Sequence, residues 1–243
     1  MADIKSYSYE PETFVELKHS KYGIDWPVIY VLHDTKEMYI GETGNAAWRF
    51  KQHFEKAERK NLTTAHIIAD DEYNKSATLD IESKLIQFLA ADNRYKLQNG
   101  NGGLSNHNYY DRERYSAKFE IIWKQLQEMG IAHSDLLQLK NSDIFKYSPY
   151  KALTDEQQAI VEDIHDRLAV DLQATHIIHG DPGTGKSVLA VYLAKYLLTS
   201  DDTKLIKLAL VIPMTSLRKT LKKVFASVKG LSPSMVIGPG EVV

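Results

Sequence analysis

The stretch from Pro27 to Thr43, P-V-I-Y-V-L-H-D-T-K-E-M-Y-I-G-E-T, sets two β-branched and aromatic runs on either side of a short polar turn. That pattern predicts a β-hairpin, which commits this part of the chain to antiparallel pairing. Tyr30 and Tyr39 then sit on paired strands, close enough to serve one site. A buried phenol needs a hydrogen-bond partner, so two tyrosines with polar neighbours downstream suggest a reaction centre. An edge hairpin with two ordinary half-buried tyrosines is the plain alternative. The residues that follow favour the reaction centre.

The 243 residues suffice for one large domain or two small ones, and 43% hydrophobic with 26% charged residues fits a soluble globular protein. No apolar run reaches the length of a membrane span, and MADIKSYSYEPE lacks the basic-then-apolar pattern of a signal peptide. The absence of cysteine removes disulfides and thiolate zinc sites and is compatible with a reducing compartment, so the cytoplasm is the default location. A net charge of −2 does not mark a nucleic-acid binder, but its distribution is uneven. Thr203 to Gly240 carries lysines and arginines and no acid, and Arg49, Lys51, Lys56, Arg59 and Lys60 form a second basic cluster. Such local surfaces hold phosphates. A solvated helix face is the competing reading of the second cluster.

Along the chain, a helix is expected at Pro11–Lys18, then the hairpin, a helix over 46–60, a short strand at 65–69 and a periodic helix over 75–91. Thr78, Ile81, Leu85, Ile86 and Leu89 line one side of that last helix. An Asn- and Gly-rich loop, 92–108, stops it. Strands that flank helices without alternating predict a small α+β domain. Residues 111–130 read as a connecting helix with Phe119, Ile122, Trp123 and Leu126 in one stripe. Past the boundary near Tyr147–Tyr150 the grammar changes to helix 154–170, strand 174–179, Gly-rich loop, helix 187–198, strand 208–212, helix 215–225 and a third strand at 235–237. That order predicts a parallel α/β sheet. The division expected is therefore 1–108, a helical linker 109–150, and 151–243.

On the second helix Arg49 and His53 stand at i,i+4 and point the same way. A guanidinium forks onto phosphate oxygens, and an imidazole donates or moves a proton. Glu82 shares the inward stripe with Leu85, Ile86 and Leu89, where a carboxylate must be paired or metal-bound. A structural ion pair with Arg49 or a lysine and a Mg²⁺ ligand are the two readings. Val28-Ile29-Tyr30 and Tyr39-Ile40-Gly41 resemble the paired signature of GIY-YIG nucleases, with Val in place of the first Gly. In that family a helix Arg, a Glu that binds one divalent metal and a later Asn follow in order, matched here by Arg49, Glu82 and Asn99, with Asn101 a near-equal candidate. His53 resembles the arrangement in some restriction-enzyme members. The resemblance covers about residues 26–104. It implies metal-dependent phosphodiester hydrolysis of nucleic acid, DNA favoured over RNA. Tyr30, Tyr39, Arg49, His53, Glu82 and Asn99 would be the catalytic set, with Mg²⁺ or Mn²⁺ on Glu82.

Gly180-Asp181-Pro182-Gly183-Thr184-Gly185-Lys186-Ser187 fits G-x-x-x-x-G-K-[ST] between an apolar run and a helix. Backbone amides there curl round a phosphate, Lys186 reaches the β and γ oxygens and Ser187 ligates Mg²⁺. Leu153-Thr-Asp-Glu-Gln157 looks like the helicase segment whose Gln reads adenine. Leu210-Val-Ile-Pro-Met-Thr-Ser216 resembles an element that contacts single-stranded nucleic acid. Residues 150–243 are thus similar to the start of a superfamily-one helicase fold, closest to Schlafen-like DNA/RNA helicases. A working ATPase needs an acidic pair at a later strand end. After Ser187 the acids are Asp201, Asp202 and Glu241, none at the end of an apolar run. The expectation is the front part of a longer protein whose full form uses ATP and Mg²⁺, with negligible hydrolysis by this chain. Two rivals stand beside the nuclease: an inactive nucleic-acid-binding module, and an NTP-binding switch or kinase using the P-loop alone. No membrane partner is expected, and oligomeric state is not readable.

Overall fold

The computed structural model describes residues 2–100, 109–151, 153–171, 173, 175–200 and 206–242. Its principal sheet holds β1 (Asp3–Ser8), β2 (Val28–His33), β3 (Glu37–Thr43), β4 (Thr64–Ala69) and β5 (Lys96–Leu97) in the order β1-β4-β2-β3-β5. Every neighbouring pair is antiparallel except β3 with β5. The expected hairpin is β2–β3, with Tyr30 opposite Gly41 and Leu32 opposite Tyr39. β1 was not expected from the sequence. Asp-Ile-Lys-Ser-Tyr-Ser carries too few apolar residues to announce a strand, and pairing with β4 along its whole length creates it.

Side chains alternate across the sheet. Val28, Tyr30, Leu32, Ala65 and Ile67 face α1 (Pro11–Lys18) and α2 (Ala46–Phe54), where Phe14, Leu17 and Phe50 complete one buried cluster. Ile29, Val31, Ile40 and Ile68 face α3 (Lys75–Asp92) and join Ile81, Leu85 and Ile86 in the other. Pro11 starts α1 with its φ already set for a helix. The Asn45 and Asn74 side chains accept the Trp48 and Ala77 amides, at 2.9 Å each, and so cap α2 and α3. Asn93, left-handed at φ 56°, ends α3.

The helix expected over 46–60 stops at Phe54, and a separate 3₁₀ turn, Ala57–Arg59, follows. That break turns Arg59 inward, and it is buried where Lys51, Lys56 and Lys60 are exposed.

Beyond the sheet lie α4 (Arg112–Glu128), the short α5 (Leu136–Asn141) and α6 (Asp143–Lys146), α7 (Asp155–Val170), α8 (Lys186–Thr199) and α9 (Thr215–Ser227). A two-residue parallel pair, β6 (Leu210–Val211) with β7 (Val236–Ile237), completes the described elements. Phe119, Ile122, Trp123 and Leu126 are buried, as their spacing on α4 predicts. The α3-side cluster continues through them to Val191, Leu221, Val224 and Phe225. Glu37 of β3 and Lys229, 3.2 Å apart, form an ion pair.

One expected strand is absent: residues 175–179 form no ladder, and Ala174 lies outside the described residues. A strand needs a neighbour to take its amides and carbonyls, and β6 and β7 pair only with each other. Ile177 is consequently 76% exposed. Strand 208–212 likewise shrinks to Leu210–Val211. The molecule is therefore mixed α+β with a small, mostly antiparallel sheet. Among the described residues no helix is long and apolar enough to cross a membrane.

Candidate active site

Tyr30 lies across Gly41. A Cβ at Gly41 would stand 2.3 Å from the Tyr30 hydroxyl and 2.4 Å from the ring carbon that bears it, closer than side chains approach. The glycine thus leaves the space in which the phenol lies. The Tyr30 ring is 1% exposed and packs edge-on against Phe50, with centroids 5.4 Å apart. Tyr39, diagonal to it across the hairpin, has its centroid 6.1 Å away. The pairing predicted for the two tyrosines is what the structure has.

From α2, His53 reaches into the same place and its Nε2 lies 2.6 Å from the Tyr30 hydroxyl, in a buried contact. Arg59 meets the other imidazole nitrogen, Nδ1. Its guanidinium carbon lies 3.6 Å from the Tyr39 ring centroid. Arg49, half-buried, donates to the Gln52 side chain at 3.3 Å, and its Nε is buried without a partner. The Nε of Arg59 is buried and unpartnered as well. Neither arginine forms an ion pair among the described residues. Buried cations without carboxylates suit a site that receives an anion.

Burial drives the titration of this cluster. The Tyr30 phenol is pushed well above its ordinary value by burial first and by Tyr39 next, while Arg49 and Arg59 pull it back. It is a neutral phenol at rest. Its ionisation therefore needs more than the two arginines. His53 is driven down to about 3, by burial and then by Arg59, Arg49 and Lys56. The imidazole is neutral throughout the physiological range.

Glu82 approaches from the α3 side of the sheet. Its carboxyl is pushed up to about 7, mainly by burial and then by the neighbouring Glu42 carboxylate, with Lys75 and Arg49 opposing. Among the described residues Glu82 makes no ion pair, the reading that competed with the metal. Lys75 pairs with Glu42 instead. Glu82 also raises Tyr30, so its field reaches the phenol. No group of three or more potential metal-ligating side chains exists among the described residues. A half-buried carboxylate with a second beside it, lacking a full protein cage among the described residues, fits a hard ion that keeps waters and takes substrate oxygens, as Mg²⁺ does.

Why these groups meet is a matter of sheet edges. β5 pairs only with Glu37 and Met38, which leaves the outer edge of β3 open beyond them. Asn99 extends the pairing by one step: its Oδ1 accepts from the Ile40 amide at 3.1 Å and its Nδ2 donates to the Ile40 carbonyl at 2.8 Å. Past Ile40, Gly41 is paired with Tyr30 of β2, and the Glu42 backbone amide hydrogen-bonds the Glu82 carboxyl. The structure thus gives the Asn99 amide to the backbone of β3 and brings Tyr30, Tyr39, Arg49, His53 and Glu82 around the hairpin end. Asn101 lies outside the described residues. Sequence reasoning missed Arg59 and Glu42 as site members. Glu42 directly follows Tyr39-Ile-Gly41, which was a usable signal. Arg59 follows a break in the helix that no Pro or Gly announces.

The second predicted site is a loop leading into α8. Gly183 and Gly185 have φ of 87° and 85°, which side-chain-bearing residues rarely adopt. Lys186 folds back, its Nζ donating to the Gly180 and Asp181 carbonyls at 2.6 and 2.7 Å. The Gln157 side chain, from the capped start of α7, donates to the Thr184 carbonyl at 3.0 Å. Gly180–Ser187 and Gln157 are therefore together, as the sequence predicts. Asp201 and Asp202 lie outside the described residues. Glu241 caps the Gly238 amide from a 3₁₀ turn.

Comparison of the chain with models of known families, with curated proteins and with solved structures finds no match.

Proposed function

We propose that residues 1–108 form a GIY-YIG-type, Mg²⁺- or Mn²⁺-dependent endonuclease that hydrolyses phosphodiester bonds of nucleic acid, DNA favoured over RNA. The observation that carries the reading is the meeting of Tyr30, Tyr39, His53, Arg49 and Arg59 with Glu82 beside Gly41 and Glu42 of β3. An inactive binding module has no need of a half-buried glutamate pressed against a second carboxylate at that place.

In this mechanism a water oxygen forms the new bond to phosphorus as the bond from phosphorus to the 3′ oxygen breaks. Tyr30, once it has lost its own proton to solvent, takes the water's proton. Arg49 stabilises the negative charge that builds on the phosphoryl oxygens, worth about several kcal/mol for one preorganised donor. The leaving oxygen collects a proton from solvent. Glu82, with Glu42 beside it, would hold the metal ion, whose bound form supplies Lewis-acid charge at the leaving oxygen. Tyr39 and His53 position the water and the phosphate. Supercoiled, linear, single-stranded and branched substrates incubated with Mg²⁺ or Mn²⁺, against an EDTA control, are expected to show metal-dependent cleavage of at least one. Intact substrates in every arm would end the reading.

The glycine geometry of the loop before α8, with Lys186 and Gln157 at hand, supports a second reading for residues 151–243 as a nucleotide-binding part of a helicase-like motor, localised with the nuclease in the cytoplasm. Lys186 must leave two backbone carbonyls to reach a phosphate, and the strand that normally braces such a loop is missing. ATP is therefore expected to bind weakly and to turn over at background. Robust phosphate release by this polypeptide would contradict that.

A further inference from the structure

We infer that Arg59 is a positioning residue that acts through His53, fixing the direction of the hydrogen bond to Tyr30 so that the phenol accepts it and keeps its own O–H free for the reacting groups. The inference rests on Tyr30 as the group that handles the attacking water, and adds the arm that aims it.

Three contacts in series carry it. One Arg59 guanidinium nitrogen lies nearest Nδ1 of His53 and 3.4 Å from Nε2; a guanidinium has donors and no acceptor, so the nearer contact calls for a lone pair on Nδ1. A neutral imidazole with a bare Nδ1 carries its proton on Nε2. Nε2 is the atom 2.6 Å from the Tyr30 hydroxyl, so the imidazole donates and the phenol oxygen accepts. The neutrality of His53 is secured by its burial and by the three cations around it. Arg59 is itself held: it is 8% exposed, its face lies on the Tyr39 ring, and no described carboxylate competes for it.

The direction of that bond has consequences. With the opposite tautomer, Tyr30 would point its proton at Nε2, locked against an imidazole that resists protonation. In the direction argued here the Tyr30 proton is left free of the imidazole. The oxygen left behind keeps the Nε2–H donor, backed by the Arg59 charge, which eases an ionisation that burial opposes. The logic is that of a base oriented by a third group, with phenol, imidazole and guanidinium in the three places.

The experiment uses the full chain labelled with ¹⁵N at histidine. In the wild type at pH 7.5, His53 is expected to show protonated Nε2 and bare Nδ1, without titration down to about pH 4. Arg59→Met, which keeps the stem and loses the donor, is expected to give a mixture of tautomers with a titration moved toward the ordinary imidazole range. In cleavage assays kcat is expected to fall about 10²-fold, with KM little changed and the alkaline rise of the pH–rate profile displaced upward. Arg59→Lys restores a donor and is expected to recover part of both signals. A wild-type His53 protonated on Nδ1, or an Arg59→Met protein with unaltered tautomer and pH profile, would overturn the inference. If the wild type cleaves nothing, the nuclease reading fails, while the tautomer measurement still decides the arm from Arg59 to Tyr30. Should Arg59→Met not fold, the wild-type tautomer and the lysine variant decide it.

Discussion

Glu82→Ala is expected to lower cleavage by about 10³-fold or more while binding of the same nucleic acid in EDTA stays within about twofold. The two readouts separate because Glu82 is not among the phosphate-holding cations. Arg49 is the cation placed on the phosphate, and it persists in the variant. Equal loss of binding and cleavage would reduce Glu82 to a structural residue, and undiminished cleavage would remove it from the reaction.

The companion variant Glu82→Gln isolates the charge. The folded-state carboxyl titrates near 7 against 4.5 for an ordinary one, so between these values the folded protein binds more protons than the unfolded chain. Stability from this group is complete below about pH 4.5 and is lost as pH rises through 7. The apo glutamine variant should therefore exceed the wild type above pH 7, by about 2 kcal/mol, and match it at pH 4.5. Mg²⁺ should raise the wild-type Tm at pH 8 and leave the glutamine variant unmoved, because a ligand stabilises only the state it binds. Thermal unfolding at the two pH values, with and without Mg²⁺, reads all four cases.

Much of this architecture is legible in local pattern. The hairpin, Pro11–Lys18, the buried stripe of α3 and that of α4 follow from period and caps that act within a few residues. What the sequence conceals is set at a distance. β1 exists because β4 offers an edge to it, and its own six residues are mostly polar. The reverse happens at 175–179, where Thr-His-Ile-Ile-His has strand chemistry and no described neighbour to pair with. At the site, Tyr30, Tyr39, Arg49 and His53 come from one hairpin and the helix after it, so their convergence is nearly a local property. Glu82 was found because it breaks an apolar stripe. Arg59 was hidden because a short 3₁₀ turn, rather than a helical repeat, aims it inward. Asn99 has the right type in the right order, and its amide is engaged at both ends by the Ile40 backbone.

Gly41→Ala adds one methyl group and is expected to cost about 10²-fold in cleavage while the protein stays folded. The new carbon would sit 2.3 Å from the Tyr30 hydroxyl and 2.4 Å from its ring carbon, so either the phenol or the strand must move. The phenol has little freedom. Phe50 meets its ring edge, the His53 and Tyr39 rings lie 5.7 and 6.1 Å away, and His53 holds its oxygen. A displacement of about 1 Å at a reacting group is enough for a rate loss of that order. Overpacking of this kind lowers stability by about 1–3 kcal/mol. Tyr30→Ala supplies the control. It removes both the clashing oxygen and the ring carbon, so in the double variant the stability loss should be smaller than the sum of the single losses, with no recovery of cleavage. That non-additivity is the signature of two groups contesting one space. Strictly additive losses, or an alanine variant that cleaves like the wild type, would mean that Tyr30 does not need the gap over Gly41 and that the catalytic phenol lies elsewhere.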